Sequence, residues 1–344
     1  MKPTIQDIAN IAGVSKATVS LALTDHPRIS SETKIKIRNI AKEIGYAKGM
    51  AVVSEKTKTD VSLGVLYLGG NHDMEKGFFR DTLMGICEEA ARSEFDVTMI
   101  GIHMDGKNNV EENITNRVIK SGVDGIIIIT NNHQLTGFDK LLEMRFPMVF
   151  VGSRKVAGYS NPLHCVSSDN YNGGRMATEY LLGLGHKQIA MVIPQGAPHW
   201  EMERVDGYCA ALRNAGLTSS DYRVIRVNSL YQAEDECWRE LDRMDCTAIF
   251  AVNARVGITL LHYLRNTGKK IPDQVSLIVF DDFPSFSLED PPVSVIMQDK
   301  KTLGTMSTKL LADILGNTNE YPRQIMIPTQ LIERKSCMAQ DRVE

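Results

Sequence analysis

From Val61 to Phe280 the chain alternates short, almost unbroken apolar runs with longer amphipathic stretches. This rhythm limits the fold more than any other feature. A run such as GIIIIT from Gly125 has no polar alternation, so a strand built from it must be covered on both faces. Parallel strands joined by crossover helices meet that demand. The runs VSLGVLYL (from Val61), VTMIGI, GIIIIT, MVFVG, HCVSS, QIAMVI, RVIRV, TAIFAV and VSLIVF therefore read as strands. Between them, Leu83, Ile86, Cys87 and Ala90 share one helical face, and a second helix carries Met176, Tyr180, Leu181 and Leu184. Further helices are expected around Ile114–Ile119 and Leu141. The run is too long for one sheet, so the body should be two α/β lobes, each a doubly wound parallel sheet.

The first 47 residues lack strand runs and read as a small all-α head of three short helices. Thr4 caps the first, which turns Ile5, Ile8, Ala9 and Ala12 to one side. Gly13 breaks it. Ser15 caps a second helix that runs to about Leu23 and buries Val19 and Leu23. Ser30 or Ser31 caps a third, with Ile37, Ile40, Ala41 and Ile44 inward and Gly45 as its stop. Residues 48–60 have no sustained apolar period and read as a hinge linker, followed by a body over 61–337 and a tail over 338–344.

Helix, glycine turn and helix at this size make a helix-turn-helix unit, whose second helix fits the DNA major groove. Its outward residues are Lys16, Ala17, Thr18, Ser20 and Leu21. Lys16 can donate to a guanine edge or to a phosphate, whereas Ala17 and Leu21 offer apolar contact only. Thr4, Ser30 and Thr33 sit at helix starts, where hydroxyls and N–H groups meet phosphates. Charge agrees. Residues 1–48 hold eight basic and four acidic side chains, although the whole chain is at −3. A basic head on an acidic body suits a polyanion at one end, and an ordinary solvated surface explains the charge equally well.

The chain opens without an apolar signal segment, and no stretch is apolar enough to span a bilayer, so a cytoplasmic protein is expected. Cys87, Cys165, Cys209, Cys237, Cys246 and Cys337 form no C-x-x-C pair and read as buried free thiols. No metal-ligand spacing, P-loop, G-x-G-x-x-G or G-x-S-x-G occurs, so neither a cofactor nor an enzyme activity is expected.

In doubly wound sheets a ligand sits beyond the carboxyl ends of the strands. The residues placed there are Gly69–Asn71 and Phe78–Phe79, Gly152–Arg154, the segment PQGAPHWEMER, Asn253 and Asp281. Arg204 and Asp281 can each bond in bidentate fashion, and with an amide and aromatics they suit a small polyhydroxylated or heterocyclic ligand. Taken singly, each also fits a structural role: Phe78 and Phe79 in the core, Arg204 paired to a nearby Glu. Asp169 reads as a helix N-cap, His186 as a hydrogen bonder at a helix stop, and Trp200 as either a stacking platform or an exposed loop aromatic.

Thr4, Asp7, Ala9, Ala12–Ser15, Thr18–Ser20, Ser30, Thr33, Gly45 and Tyr46 match the head signature of the LacI/GalR regulator family, which this chain resembles. The stretches VSSDNYNGGRMATEYLLGLGHKQIA, RVDGYCAALRNAGL, FDDFPSFSLEDPPVSVIMQ and PTQLIERKS extend the resemblance to the body. It implies a type I periplasmic-binding-protein fold, with lobe 1 at about 61–165 and 297–328 and lobe 2 at about 166–296 and 329–337. It further implies a homodimeric DNA-binding regulator, most often a repressor. Such a protein binds a near-palindromic operator under control of a small-molecule effector, commonly a carbohydrate. The effector contacts implied are Asn71, Phe79, Arg204, Tyr231, Asn253 and Asp281. Lys16 and Ala17 fall where relatives read bases. Leu21 replaces a frequent base-reading Arg, Ala254 replaces a frequent Asp, and Glu55 falls where some relatives wedge a leucine into the minor groove. An exported sugar-binding protein and a Rossmann-type enzyme are the competing readings; the head and the missing phosphate loop oppose them.

Overall fold

The computed structural model describes residues 4–23, 29, 33, 34, 36, 37, 40, 41, 61–68, 73–102, 110–130, 137–152, 162–228, 236–316 and 321–340. The chain forms two units, Met1–Asp60 and Val61–Glu344. Ser30, Asn71, Tyr231, Arg154, Ile44, Gly45 and the hinge 48–60 lie outside the described residues.

In the first unit, α1 (Ile5–Ala12) and α2 (Lys16–Leu23) are joined through Gly13 at φ 73°. That left-handed value suits a residue without Cβ. The Gly13 and Val14 N–H groups close α1 on the Ala9 carbonyl. Ser15 Oγ accepts the Thr18 N–H at 3.1 Å and so caps α2. Ile8, Ala9, Ala12, Val19, Ala22 and Leu23 pack with Ile37, Ile40 and Ala41 in one small core. Residues 33, 34, 36, 37, 40 and 41 are helical, and Lys36 donates to the Ala12 carbonyl at 3.3 Å.

The second unit carries two sheets of six strands. Lobe 1 has the order β11-β5-β4-β3-β1-β2, using β1 (Ser62–Leu68), β2 (Asp96–Gly101), β3 (Gly125–Thr130), β4 (Met148–Val151), β5 (Cys165–Ser168) and β11 (Gln324–Ile327). All its pairings are parallel. Lobe 2 has the order β12-β10-β9-β8-β6-β7, using β6 (Ile189–Pro194), β7 (Arg223–Val227), β8 (Ala248–Ala251), β9 (Ser276–Phe280), β10 (Ser294–Gln298) and β12 (Thr329–Ile332). Only β10 and β12 run antiparallel. The helices are α3 (Asp73–Arg92), α4 (Val110–Ser121), α5 (Asp139–Glu143), α6 (Asn170–Gly183), α7 (His199–Asn214), α8 (Glu236–Arg243), α9 (Ala254–Asn266) and α10 (Lys300–Gly316). Val166–Ser168 pair within the lobe 1 sheet, and Met297 and Gln298 within that of lobe 2. The chain thus changes lobe later than about 165 and about 296, at the residues after Ser168 and Gln298. Met338 and Gln340, read above as tail, bond to Ser276 and to the Leu184 carbonyl of lobe 2.

Each lobe brings two helices to backbone contact through a reciprocal pair of glycines. A Cβ on Gly174 of α6 would meet the Arg204 carbonyl oxygen at 2.2 Å, and one on Gly207 of α7 would meet that of Tyr171 at 2.1 Å. In lobe 1, Gly85 of α3 faces the Lys301 carbonyl and Gly304 of α10 faces that of Thr82, both at 2.0 Å. This contact corrects the reading of α3. Its inward face is Thr82, Gly85, Ile86, Glu89 and Ala90, while Cys87 is exposed. Cys165 is buried, and Cys209, Cys246 and Cys337 are half-buried. His186 is more than a helix stop. It is buried, with Nδ1 2.9 Å from Thr247 Oγ1 and Nε2 3.0 Å from both Ser276 Oγ and the Met338 carbonyl. Burial holds its pKa below the ordinary histidine value. Asp169 is the N-cap of α6, accepting the Asn172 N–H at 3.1 Å. No helix among the described residues is long and apolar enough to cross a membrane.

The glycine contact sets an expectation. Gly207→Ala should lower stability by roughly 1–3 kcal/mol or more, because the new methyl overlaps a backbone carbonyl that cannot rotate away. Gly183→Ala, in the same lobe with nothing near its Cβ, should instead raise stability by about 0.5–1 kcal/mol. Urea unfolding of the two variants tests the contrast, and equal effects would contradict it.

Candidate functional site

A cavity of about 410 Å³ opens beyond the strand ends and is lined from both lobes. Lobe 1 contributes Phe78 of α3, Gly152 after β4 and Ser168 at the end of β5. Lobe 2 contributes the β6–α7 turn with Trp200, Glu201 and Arg204, then Asn253–Arg255 after β8 and Asp281–Phe283 after β9. Asn170, Gln298 and Lys300 lie where the chain passes between lobes.

Arg204 is the centre of this wall and is 3% exposed. Its Nε donates to Asn170 Oδ1 at 3.0 Å and its Nη1 to the Val252 carbonyl at 2.8 Å. The guanidinium lies 3.6 Å over the Phe280 ring, and Nη1 is 3.8 Å from Asp281 Oδ2. Burial disfavours the cation, while Asp281, Glu201 and Glu203 favour it. The net direction is downward, in a group that stays charged at any physiological pH.

Asp281 follows β9 at φ 78°, a conformation that aspartate adopts more readily than most residues. Its Oδ1 accepts from the Gln298 amide. Asn253 caps α9, with Oδ1 accepting the Val256 N–H at 2.8 Å, and its Nδ2 donates to Glu201 Oε1 at 2.7 Å. Glu201 is 6% exposed; burial pushes its carboxyl above the ordinary carboxylate range, against the pull of Arg204 and Asn253. Asp282, also on the cavity lining, accepts a two-point contact from Arg334, at 3.0 and 2.7 Å.

The structure therefore brings together Arg204, Asn253 and Asp281 of the expected set. Phe79 is not among the lining residues. Its ring lies 4.3 Å from that of Tyr67 and packs on the lobe 1 core, and the neighbouring Phe78 faces the cavity instead. Both rings pack on the lobe 1 core, and only Phe78 also lines the cavity. Trp200 takes the cavity-lining alternative and stands edge-on to His199. Sequence reasoning missed Ser168, Asn170, Glu201, Gln298 and Lys300. Glu201 was findable, since it lies one turn before Arg204 on the same helix face.

In the head, Lys16, Ala17 and Ser20 are exposed, while Thr18, Leu21 and Thr33 are half-buried. Thr18 Oγ1 lies 2.9 Å from Ser15 Oγ, so these two hydroxyls serve the cap. The Thr4 hydroxyl and N–H both donate to Asp7 Oδ2 at 2.7 Å, which holds that carboxyl below the usual range. No group of His, Cys, Asp and Glu among the described residues is arranged to hold a metal ion.

Residues 4–48 match the family described as bacterial regulatory proteins, lacI family. Residues 61–335 match that of periplasmic binding proteins and sugar binding domain of LacI family. The chain belongs to the lacI family of DNA-binding transcription regulators. It is 27% identical over 340 residues to the HTH-type transcriptional regulator DegA of Bacillus subtilis (strain 168), covering 98% of each chain. Its fold is similar to that of the regulator CelR in complex with cellobiose, with a TM-score of 0.69, 24% identity and coverage of 97% and 100%. The lac repressor dimer bound to operator and the anti-inducer ONPF matches with a TM-score of 0.65 at 20% identity, over 98% of this chain and all of that one. Like other family members, this chain is a regulator and not an enzyme.

The wall gives Arg204 a structural role. Arg204→Met should cost the body roughly 3–5 kcal/mol, because Asp281, Glu201 and Glu203 lose a buried cation. Urea unfolding followed by tryptophan fluorescence measures it. A change below about 1 kcal/mol would show that those carboxylates do not depend on the guanidinium.

Proposed function

We propose that this regulator is a cytoplasmic homodimeric repressor. Its two heads occupy the halves of a near-palindromic operator, and a carbohydrate bound in the cavity between the lobes controls that binding. The observation that carries the reading is the shared wall: a buried Arg204 paired with a half-buried Asp281, a helix-capping amide at Asn253 and two aromatic rings, Phe78 and Trp200, around one space. Fixed carboxylate, guanidinium and amide groups beside aromatic faces match the hydroxyl edges and C–H faces of a sugar ring. The cellobiose complex of CelR supports the same ligand class.

Regulation follows from where the ligand sits. A sugar held by both lobes stabilises one lobe orientation, and in a dimer that orientation sets the spacing of the heads. The sugar shifts operator affinity only by its differential affinity for the two orientations. In the head, phosphate contacts supply most of the affinity, at the helix starts near Thr4, Ser30 and Thr33. The exposed Lys16, Ala17 and Ser20, with Ser15, Thr18 and Leu21 beside them, form the reading surface.

Selection of bound sequences from random DNA, with and without a panel of sugars, tests the whole reading. Wild type should enrich a near-palindrome whose binding weakens steeply with salt and responds to one panel member. Lys16→Ala should change the enriched sequence, at a cost of about 1–3 kcal/mol on the original operator. Asp281→Asn should retain operator binding and lose the sugar response. Uniform weakening on all DNA by Lys16→Ala would reduce that residue to a phosphate contact. A sugar response intact in Asp281→Asn would remove the cavity from the mechanism.

A further inference from the structure

Six charged side chains line the cavity: Glu201, Arg204, Arg255, Asp281, Asp282 and Lys300. Five of them are engaged with the protein. Arg204 is balanced by Asp281, Glu201 and Glu203. Asp281 also accepts from the Gln298 amide, and Asp282 from Arg334. Arg255 supports the Glu201 carboxylate electrostatically. The ammonium of Lys300 has neither an ion pair nor a hydrogen bond to any described residue. Lys300 is nevertheless half-buried, so part of its hydration is lost without a protein partner to replace it.

Local structure gives no reason for a cation at this position. Lys300 is the first residue of α10, and the first turn of that helix holds no carboxylate. Unpaired N–H groups already make a helix start positive, so a lysine there is disfavoured. The preceding Asp299 does not relieve it, because its two oxygens take the N–H and the hydroxyl of Thr302, at 2.9 and 2.6 Å. The next residue shows how a surface lysine is usually accommodated: Lys301 reaches Glu88 at 2.7 Å. A half-buried lysine set against the helix field and left unpaired departs from local rules in the way that functional positions do.

We propose that Lys300 selects the charge of the effector: the carbohydrate taken by this cavity carries an acidic group, phosphate or carboxylate, and Lys300 binds that group. This rests on the carbohydrate reading above and narrows it from sugars at large to acidic sugars. The carboxylates of the lobe 2 wall do not oppose an anion at Lys300, since each is already matched by a cation or an amide of the protein. A neutral sugar would strip more water from the ammonium and leave it unmatched, which weakens binding. An acidic group replaces that water with a charge-assisted hydrogen bond, the stronger kind. The ammonium is a point charge with rotatable donors, so it suits either oxyanion.

Calorimetry on the full-length protein, pairing each neutral sugar with acidic counterparts, tests this. The probes are glucose with glucose 6-phosphate and glucuronate, galactose with galacturonate, and ribose with ribose 5-phosphate. Wild type should bind one acidic member about tenfold or more tighter than its neutral parent, and that member tells phosphate from carboxylate. Lys300→Met should abolish the preference by weakening the acidic member alone, and Lys300→Arg should keep most of it. A neutral sugar that binds wild type as tightly as its acidic counterparts would overturn the proposal and leave the carbohydrate reading standing. An acidic preference unchanged in Lys300→Met, or acidic and neutral affinities that fall together, would remove Lys300 as the selecting group. Binding of no sugar, neutral or acidic, would overturn both readings.

Discussion

The body of this regulator is organised around one buried cation. A guanidinium at the base of a cleft between two lobes must be neutralised and hydrogen-bonded, or its burial would cost several kcal/mol. Arg204 meets that requirement with groups from separate parts of the chain: Asn170 at the start of α6, the Val252 carbonyl after β8, the face of Phe280 at the end of β9, and Asp281. Each of these lies at or beyond a strand end or at a helix start. Satisfying Arg204 therefore fixes the geometry of the cavity wall as a by-product. The left-handed backbone at Asp281 is tolerated within the same arrangement.

That wall depends in turn on how closely α6 and α7 approach. Gly174 and Gly207 let each helix backbone rest on a carbonyl of the other, and one of those carbonyls belongs to Arg204 itself. Lobe 1 repeats the device between α3 and α10 with Gly85 and Gly304. In both lobes each glycine lies three residues after the carbonyl its own helix presents, so the two contacts have the same internal spacing. The lobes thus share a packing solution as well as a strand order, and the ligand cavity lies between two similarly braced bodies.

Much of this was legible in the amino-acid order. Uninterrupted apolar runs placed β1, β3, β4 and β9, because a strand covered on both faces leaves a pattern no surface helix would. Asp169, Arg204, Asn253 and Asp281 were found because polar residues just past apolar strands and at helix starts are where such a fold positions chemistry. Other features depended on tertiary detail. Whether Phe78 or Phe79 faced the cavity turned on the rotation of α3, which its glycine contact with α10 sets; the same rotation exposes Cys87. Ser168 was invisible as a lining residue, since nothing in its neighbours sets it apart from the rest of its strand, whereas Glu201 could be read from its place one turn before Arg204. The points where the chain changes lobe were misplaced by a few residues, because strand pairing, not hydrophobicity, decides which sheet Val166–Ser168 and Met297 join.

A ligand in the cleft and an operator on the heads bind the same protein, so any coupling between them must be reciprocal. The direct measurement is the pair of reciprocal affinities: operator dissociation constant with and without saturating sugar, and sugar dissociation constant with and without saturating operator. If the cavity controls the heads through lobe orientation, the two ratios are equal and differ from one, within the five- to 150-fold range of roughly 1–3 kcal/mol typical of such coupling. A sugar whose affinity is the same on and off the operator, while operator binding still responds to it, would contradict the account, because the response would then arise at some site other than this cavity.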